Sequence, residues 1–230
     1  MGKKLDIRLL TVAQQIRSKT HADIGSDHGG LLVWLLVWLL KNAQVEFGIA
    51  IDDKQVPFEN SVRALKNLPC DVRLGDGLNA LQKDEADSLS ICGIGAEKIC
   101  DILSDHPDRI PPRVVLQVFH KPEIIRRWAI EYGFHLQNDQ TTGGQRAYTV
   151  LTFERAADPS QPDPAYEGAD LESALLFGPF ALKREDHQFD LKLQNEEAWW
   201  RSYHRLSSKP AQRLKLLRSV MADRGIKPLP

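Results

Sequence analysis

Acidic and glycine residues cluster in the short segment Asp23-Ile-Gly-Ser-Asp-His-Gly29, which directly follows an apolar run. A glycine-rich turn between a strand and a helix lets a nucleotide-like ligand approach the backbone. Dinucleotide-binding turns have the pattern Gly-x-Gly-x-x-Gly and hold a pyrophosphate, but Asp27 takes the place of the second glycine and would repel a phosphate. S-Adenosylmethionine has no phosphate and carries a sulfonium and an ammonium group. The segment therefore favours this cationic cofactor over a plain turn with solvated acids, and its predicted ligands are Asp23, Gly25, Ser26 and Gly29.

Further acids follow the next two predicted strands. Asp52 ends the run Val45–Asp52 and can accept hydrogen bonds from both ribose hydroxyls, as expected for an acid about 20 residues after a glycine turn; the adjacent Asp53 is the alternative. Asp76, followed by Gly77, can accept from an adenine amino group. Because parallel strands open at their carboxyl ends into one crevice, we expect these acids to share a site.

The fourth predicted strand ends in Gly93-Ile-Gly95, and we assign both glycines to the cofactor site. Enzymes that methylate exocyclic amino groups often carry an Asn/Asp-Pro-Pro-aromatic loop at this position. The chain has none there. This favours methylation of a ring nitrogen or of another nucleophile.

Strand-like and helix-like segments alternate five times before two apolar runs joined by Thr-Thr-Gly-Gly-Gln. Such alternation predicts an α/β fold with a doubly wound parallel sheet, and the final pair predicts an antiparallel hairpin of the Rossmann-like class I methyltransferase type. We expect this domain over residues 1–155, a proline-rich linker or crossing segment over 156–180, and a small α-helical hairpin, close to a short coiled coil, over 181–230.

Composition is that of a globular protein, with 230 residues, 42% hydrophobic and 27% charged, and excludes a disordered or collagen-like chain. The apolar run Leu31–Leu40 is too short to span a membrane and predicts a helix in a core or a partner interface, which leaves the oligomeric state open. Three cysteines without metal spacing, the absence of a signal-peptide pattern and seven histidines without His-x-x-x-His spacing predict a cytoplasmic protein with no metal.

The net charge of −1 hides an asymmetry, because residues 199–230 hold eight basic residues and one acidic residue. A basic helical pair can contact RNA phosphates, although charge runs are often only solvated helix faces. The candidate RNA-binding residues in this region are Arg201, Arg205, Lys209, Arg213, Lys215 and Arg218.

Several motifs together resemble the bacterial tRNA (adenine(22)-N1)-methyltransferase family. They are Ala-Asp-Ile-Gly-Ser-Asp-His (22–28), Pro57-Phe58 after the second strand, Arg-Leu-Gly-Asp-Gly-Leu (73–78), the Gly93 loop with its helix, Leu116-Gln117, Tyr148 and Phe-Gly-Pro-Phe (177–180). The chain departs from the family pattern at Gly29-Gly30, Val118-Phe119 and Gly143-Gly144.

The resemblance implies methyl transfer from S-adenosylmethionine to N1 of an adenine in tRNA. It implies that Asp27 and His28 face the methyl group, that Gln117 and His120 line the base pocket beside Tyr148, and that Arg8 contacts a phosphate. The departures beside the base pocket keep two alternatives open. These are a methyltransferase that acts on another substrate and a non-catalytic RNA-binding relative.

Overall fold

The computed structural model describes residues 7–25, 33–142, 148–203 and 205–229. They form an α/β protein, and the contacts divide the chain into two compact units, with the boundary between Pro164 and Ala165. The predicted Rossmann-like architecture is confirmed in the first unit.

The first unit is built on one mostly parallel sheet with the strand order 3-2-1-4-5-7-6. Strands 1 to 5 pair in parallel, whereas strand 7 pairs antiparallel with strands 5 and 6. The predicted terminal hairpin is therefore present at one edge of the sheet. The strands are β1 (Ser18–Ile24), β2 (Val45–Asp52), β3 (Cys70–Leu74), β4 (Ser88–Cys92), β5 (Arg113–Val118), β6 (Phe134–Thr142) and β7 (Tyr148–Arg155).

Helices alternate with these strands, as the sequence predicts, with two differences. The helical spacing of apolar residues over 5–17 predicts a single helix there, but its described part ends at Ala13 and turns lead from there into β1. The sequence also predicts a helix around Leu78 to Gln82, where the structure has a single 3₁₀ turn, Gly77–Ala80. The helices of the first unit are α1 (Ile7–Ala13), α2 (Val33–Lys41), α3 (Gln55–Leu65), α4 (Ala96–Asp105) and α5 (Pro122–Glu131).

The apolar helix α2 lies in the core of the first unit. Leu35, Leu36 and Leu39 are completely buried, and they pack in one apolar cluster with Leu9 of α1 and Val115 of β5. The core alternative for this segment is thus the observed one. No helix among the described residues is long and apolar enough to cross a bilayer.

The second unit corrects the predicted linker over residues 156–180. Residues from Ala165 onward belong to this unit, and they begin it with a 3₁₀ turn and two short helices. Phe177 and Ala181 of these short helices contribute to the apolar core of the unit. Within the predicted hairpin, the apolar spacing over residues 181–206 predicts one long helix, which is interrupted between Lys183 and His187. The helices are α6 (Leu171–Phe177), α7 (Pro179–Lys183), α8 (His187–Arg201) and α9 (Ser208–Asp223). Helices α8 and α9 pack on each other, as predicted for the helical pair.

Candidate active site

A pocket lies at the carboxyl ends of the parallel strands, where the sequence places the acids. Four of the predicted cofactor residues line it: Gly25, Asp53, Asp76 and Gly77. A smaller adjoining cavity is lined by Asp23, Gly25 and Asp52. The structure therefore brings together acids at the carboxyl ends of β1, β2 and β3, as expected for an open α/β sheet.

Two carboxylates that line the smaller cavity are buried. Asp23 and Asp52 are 8% and 5% exposed. The pKa of Asp23 is raised to about 7. Burial raises it most, the hydrogen bond from Ser90 lowers it, and the negative charge of Asp52 raises it further. A bound cation would relieve both the burial and the repulsion. The site thus fits a ligand with a positive group near β1 and β2.

The wall of the pocket also contains residues that the sequence analysis missed. Ile24, Ile51 and Ile94 each lie next to a predicted ligand, whereas Lys98 and Ile102 come from α4. The four-residue spacing of Lys98 and Ile102 places both on one face of that helix, which could have indicated their role. Apolar isoleucines beside an acid suit a flat base with an amino group at its edge.

Two predicted glycines have backbone conformations that favour glycine. Gly25 and Gly93 have φ angles of +74° and +78°, and a Cβ on either would meet no atom within 4 Å. Both turns leave open space beside the strand ends. Gly95 precedes α4 as its N-cap residue. Neither Gly93 nor Gly95 lines the pocket itself, although Ile94 between them does.

Gln117 is the polar side chain with the most unusual environment. It lies near the end of β5, between Cys92 of β4 and Val150 of β7, and it is completely buried. Neither its amide oxygen nor its amide nitrogen has a hydrogen-bond partner within the described residues. An unsatisfied buried polar group costs about 1–3 kcal/mol. A position that retains such a cost is a candidate for binding a polar ligand.

Aromatic and basic side chains gather just beyond Gln117. The rings of Phe119 and Tyr148 meet edge to face with centroids 5.9 Å apart. The guanidinium of Arg8 lies 6.0 Å from the centroid of the Phe119 ring. Tyr148 is buried, whereas Phe119 and His120 are exposed. The structure therefore brings Arg8 and Tyr148 to the same end of β5 as Gln117, and Phe119 is a member of this group that the sequence analysis did not assign.

Four predicted site residues, Ser26, Asp27, His28 and Gly29, lie outside the described residues. Their roles rest on the sequence pattern alone. Among the described residues, no group of three or more His, Cys, Asp or Glu side chains is arranged to hold a metal ion.

In the second unit, the predicted RNA-binding residues fall into two groups. Arg213 forms an ion pair with Glu196, and Arg218 and Arg201 both pair with Glu197. Arg205, Lys209 and Lys215 are exposed and have no ion pair within the described part of the chain. The net positive charge of residues 199–230 is thus partly neutralised by acids of α8. These acids precede residue 199, so a charge count that starts at that residue leaves them out.

Aromatic rings are exposed at the end of α8. Trp199 and Tyr203 are about half exposed, and their ring centroids lie 5.1 Å apart. Trp200 contacts Trp199 with centroids 4.3 Å apart.

The sheet order, the antiparallel strand 7 and the acids at consecutive strand ends define a class I methyltransferase. The family model described as tRNA (adenine(22)-N(1))-methyltransferase matches residues 21–224. The chain therefore belongs to the tRNA (adenine(22)-N(1))-methyltransferase family.

Individual relatives agree with this assignment. The tRNA (adenine(22)-N(1))-methyltransferase of Bacillus subtilis is 32% identical over 201 residues, which cover 84% of this chain and 81% of the relative. The crystal structure of the B. subtilis m1A22 tRNA methyltransferase TrmK superposes with a TM-score of 0.81 at 30% identity, covering 95% of this chain and 99% of that one. The structure of M. capricolum TrmK in complex with S-adenosylhomocysteine shares the fold, with a TM-score of 0.79 at 20% identity over 98% of this chain and all of the other.

Proposed function

We propose that the protein transfers a methyl group from S-adenosylmethionine to N1 of an adenine in tRNA, at position 22 as the family description names it. The observation that carries the proposal is the presence of two features at the carboxyl ends of the parallel strands. One is the acid-lined pocket at the ends of β1, β2 and β3. The other is the buried amide of Gln117 near the end of β5, which has no hydrogen-bond partner in the described parts of the chain.

The residues of the first feature fit the cofactor. Asp52 or Asp53 would accept from the ribose hydroxyls, and Asp76 would accept from the adenine amino group between Ile51, Ile94 and Ile102. Asp23, whose pKa is raised chiefly by burial, would bind the ammonium group. When bound, the cofactor supplies an electrophilic methyl group.

The amide of Gln117 suits an adenine base. A glutamine amide can accept from N6 and donate to N7 of adenine at the same time. This pairing leaves the N1 edge free to receive the methyl group. Because N1 is normally hidden in a base pair, the base must be unpaired or flipped into the site.

Methyl transfer to adenine N1 requires little of the protein beyond positioning of the two reactants. Adenine N1 has a lone pair and attacks the methyl carbon in line, so no covalent enzyme nucleophile is needed. Holding two reactants in an attack geometry can contribute up to about 7–11 kcal/mol. Gln117 would orient the base, while Phe119 and Tyr148 would flank it, and Asp27 and His28 of the glycine turn would face the methyl group.

The exposed side chains of the second unit support tRNA as the partner. Arg205, Lys209 and Lys215 can neutralise phosphates, and the half-exposed rings of Trp199 and Tyr203 can stack on unpaired bases. Such an enzyme would act in the cytoplasm with its tRNA.

The test is a methylation assay with tritiated S-adenosylmethionine on unmodified tRNA, followed by mapping of the product. We expect one N1-methyladenosine at position 22, and no incorporation into a tRNA with guanosine at that position. Asp27→Ala should abolish transfer while the far-UV circular dichroism spectrum stays unchanged. Methylation at another base, or of another substrate, would favour the alternative methyltransferase. Binding of tRNA without any transfer would favour the non-catalytic relative.

A further inference from the structure

A continuous chain of polar side chains runs through the buried interior between β1 and β4. The oxygen atoms of Ser18 and Ser88 lie 2.7 Å apart, and Ser88 Oγ lies 2.7 Å from Nδ1 of His21. On the other side of the imidazole, Nε2 lies 2.9 Å from Ser90 Oγ, which lies 2.5 Å from Oδ1 of Asp23. His21, Ser88 and Ser90 are completely buried. The chain of contacts therefore leads from the start of β1 to the cofactor pocket without passing through solvent.

The pairing of the two strands makes this arrangement possible. His21 is in register with Ser88, and Asp23 is in register with Ser90. Side chains two residues apart on a strand point to the same face of the sheet. All four side chains therefore lie on one face, in a region where apolar residues would be expected between buried strands.

The direction of each hydrogen bond follows from the acceptor at the end of the chain. Ser90 donates its only hydroxyl proton to the Asp23 carboxylate, so its oxygen must accept a proton from Nε2 of His21. A neutral imidazole that donates from Nε2 accepts at Nδ1, and therefore Ser88 donates to His21. Burial lowers the pKa of His21 to about 3, so the ring is neutral at neutral pH. Every proton in the chain thus points towards Asp23.

We propose that Ser90 and His21 are positioning residues for the cofactor: through this chain of donors they fix the carboxylate of Asp23 in the orientation that binds the ammonium group of S-adenosylmethionine. Donors aligned in one direction strengthen one another in a buried environment. The chain holds the Oδ1 atom of the carboxylate, and the other oxygen would bind the ligand. The inference rests on the proposed role of Asp23, and the experiment separates the two.

The experiment compares two ligands by isothermal titration calorimetry on the full-length protein. S-Adenosylhomocysteine has the ammonium group, whereas methylthioadenosine contains the adenosine part and lacks the amino-acid part. We expect Ser90→Ala to weaken S-adenosylhomocysteine about tenfold or more, which is the usual effect of losing a hydrogen bond to a charged group, and to leave methylthioadenosine within twofold. His21→Leu should have the same selectivity with a smaller effect, threefold or more.

Two further variants make the result specific. His21→Gln should restore affinity to within twofold of the wild type, because a glutamine amide can accept from Ser88 and donate to Ser90. Thr152→Val is the matched control: it removes a completely buried hydroxyl of β7 that bonds weakly to Gln15 and lies outside the chain, and it should change neither ligand.

Asp23→Asn separates the proposed cofactor role of Asp23 from its positioning by Ser90 and His21. If it leaves S-adenosylhomocysteine binding unchanged, the proposed cofactor role of Asp23 is wrong. If it weakens that ligand selectively while Ser90→Ala and His21→Leu do not, the role of Asp23 stands and the positioning chain is refuted. Equal weakening of both ligands by Ser90→Ala would also refute the chain, because it indicates only general damage to the fold.

Discussion

His21 and Asp23 are two residues apart on β1, and their ionisation should have opposite effects on stability as the pH changes. Burial lowers the pKa of His21 from 6.5 to about 3 and raises that of Asp23 from 3.8 to about 7. Below pH 6.5 the unfolded chain takes up a proton at His21 that the folded protein does not bind, so stability is lost on acidification. Between pH 7 and pH 4 the folded protein binds a proton at Asp23 that the unfolded chain does not, so stability is gained.

The two effects are of similar size. Between pH 6.5 and pH 5, these pKa values correspond to a loss of about 2 kcal/mol from His21 and a gain of about 2 kcal/mol from Asp23. The two contributions therefore nearly cancel in the wild type. Removing either group should reveal the other.

Urea unfolding followed by circular dichroism at pH 6.5 and pH 5 tests this reasoning with His21→Gln, Asp23→Asn and the double variant. On going to pH 5, the free energy of unfolding of His21→Gln should rise by about 2 kcal/mol relative to the wild type, and that of Asp23→Asn should fall by about 2 kcal/mol. The double variant should follow the wild-type pH profile. Because all other titrating groups are shared, only the differences between proteins matter. Differences that do not change with pH would refute the assigned ionisation states.

Three further outcomes are expected. Gln117→Leu should raise the free energy of unfolding by about 1–3 kcal/mol, because it removes a buried amide that has no hydrogen-bond partner among the described residues. It should also lower the rate of methyl transfer without changing cofactor affinity. A fully active variant would exclude Gln117 from base binding. Combined alanine substitutions of Arg205, Lys209 and Lys215 should weaken tRNA binding and reduce the slope of log Kd against log salt by about 2. A triple alanine variant of exposed cations in the first unit serves as the control. An unchanged slope would mean that Arg205, Lys209 and Lys215 are only solvated. Leu36→Ala, at a completely buried position of α2, should cost about 2–5 kcal/mol in urea unfolding, and a cost near zero would contradict its place in the core.

The sheet could be predicted because its signals are local. Alternating apolar runs and glycine turns gave strand β2 with its observed bounds and the terminal hairpin of β6 and β7. The predicted linker over 156–180 differs from the structure in its second half, for a physical reason. Its prolines and acids are typical of loops, and the residues that make its second half structured, Phe177 and Ala181, are stabilised by packing against α8 and α9, which no local pattern displays.

The site shows the same division. The order of glycines and acids along the chain was sufficient to place Asp52, Asp53 and Asp76 near one crevice, because parallel strands of a doubly wound sheet end on the same side. The sequence did not indicate that Arg213 and Arg218 are neutralised by Glu196 and Glu197, since ion pairs between helices depend on how the helices pack.

The sequence by itself thus determined the class of fold, the acids that line the pocket and the family, because these depend on residue types at regular spacings along the chain. Only the tertiary structure decided which polar side chains are buried and what they contact. Among the described residues it left the amide of Gln117 without a hydrogen-bond partner, and it joined His21 and Asp23 through Ser90. The physical reason is that the free energy of a buried polar group depends on its neighbours in space, and those neighbours are separated by 67 residues along the chain.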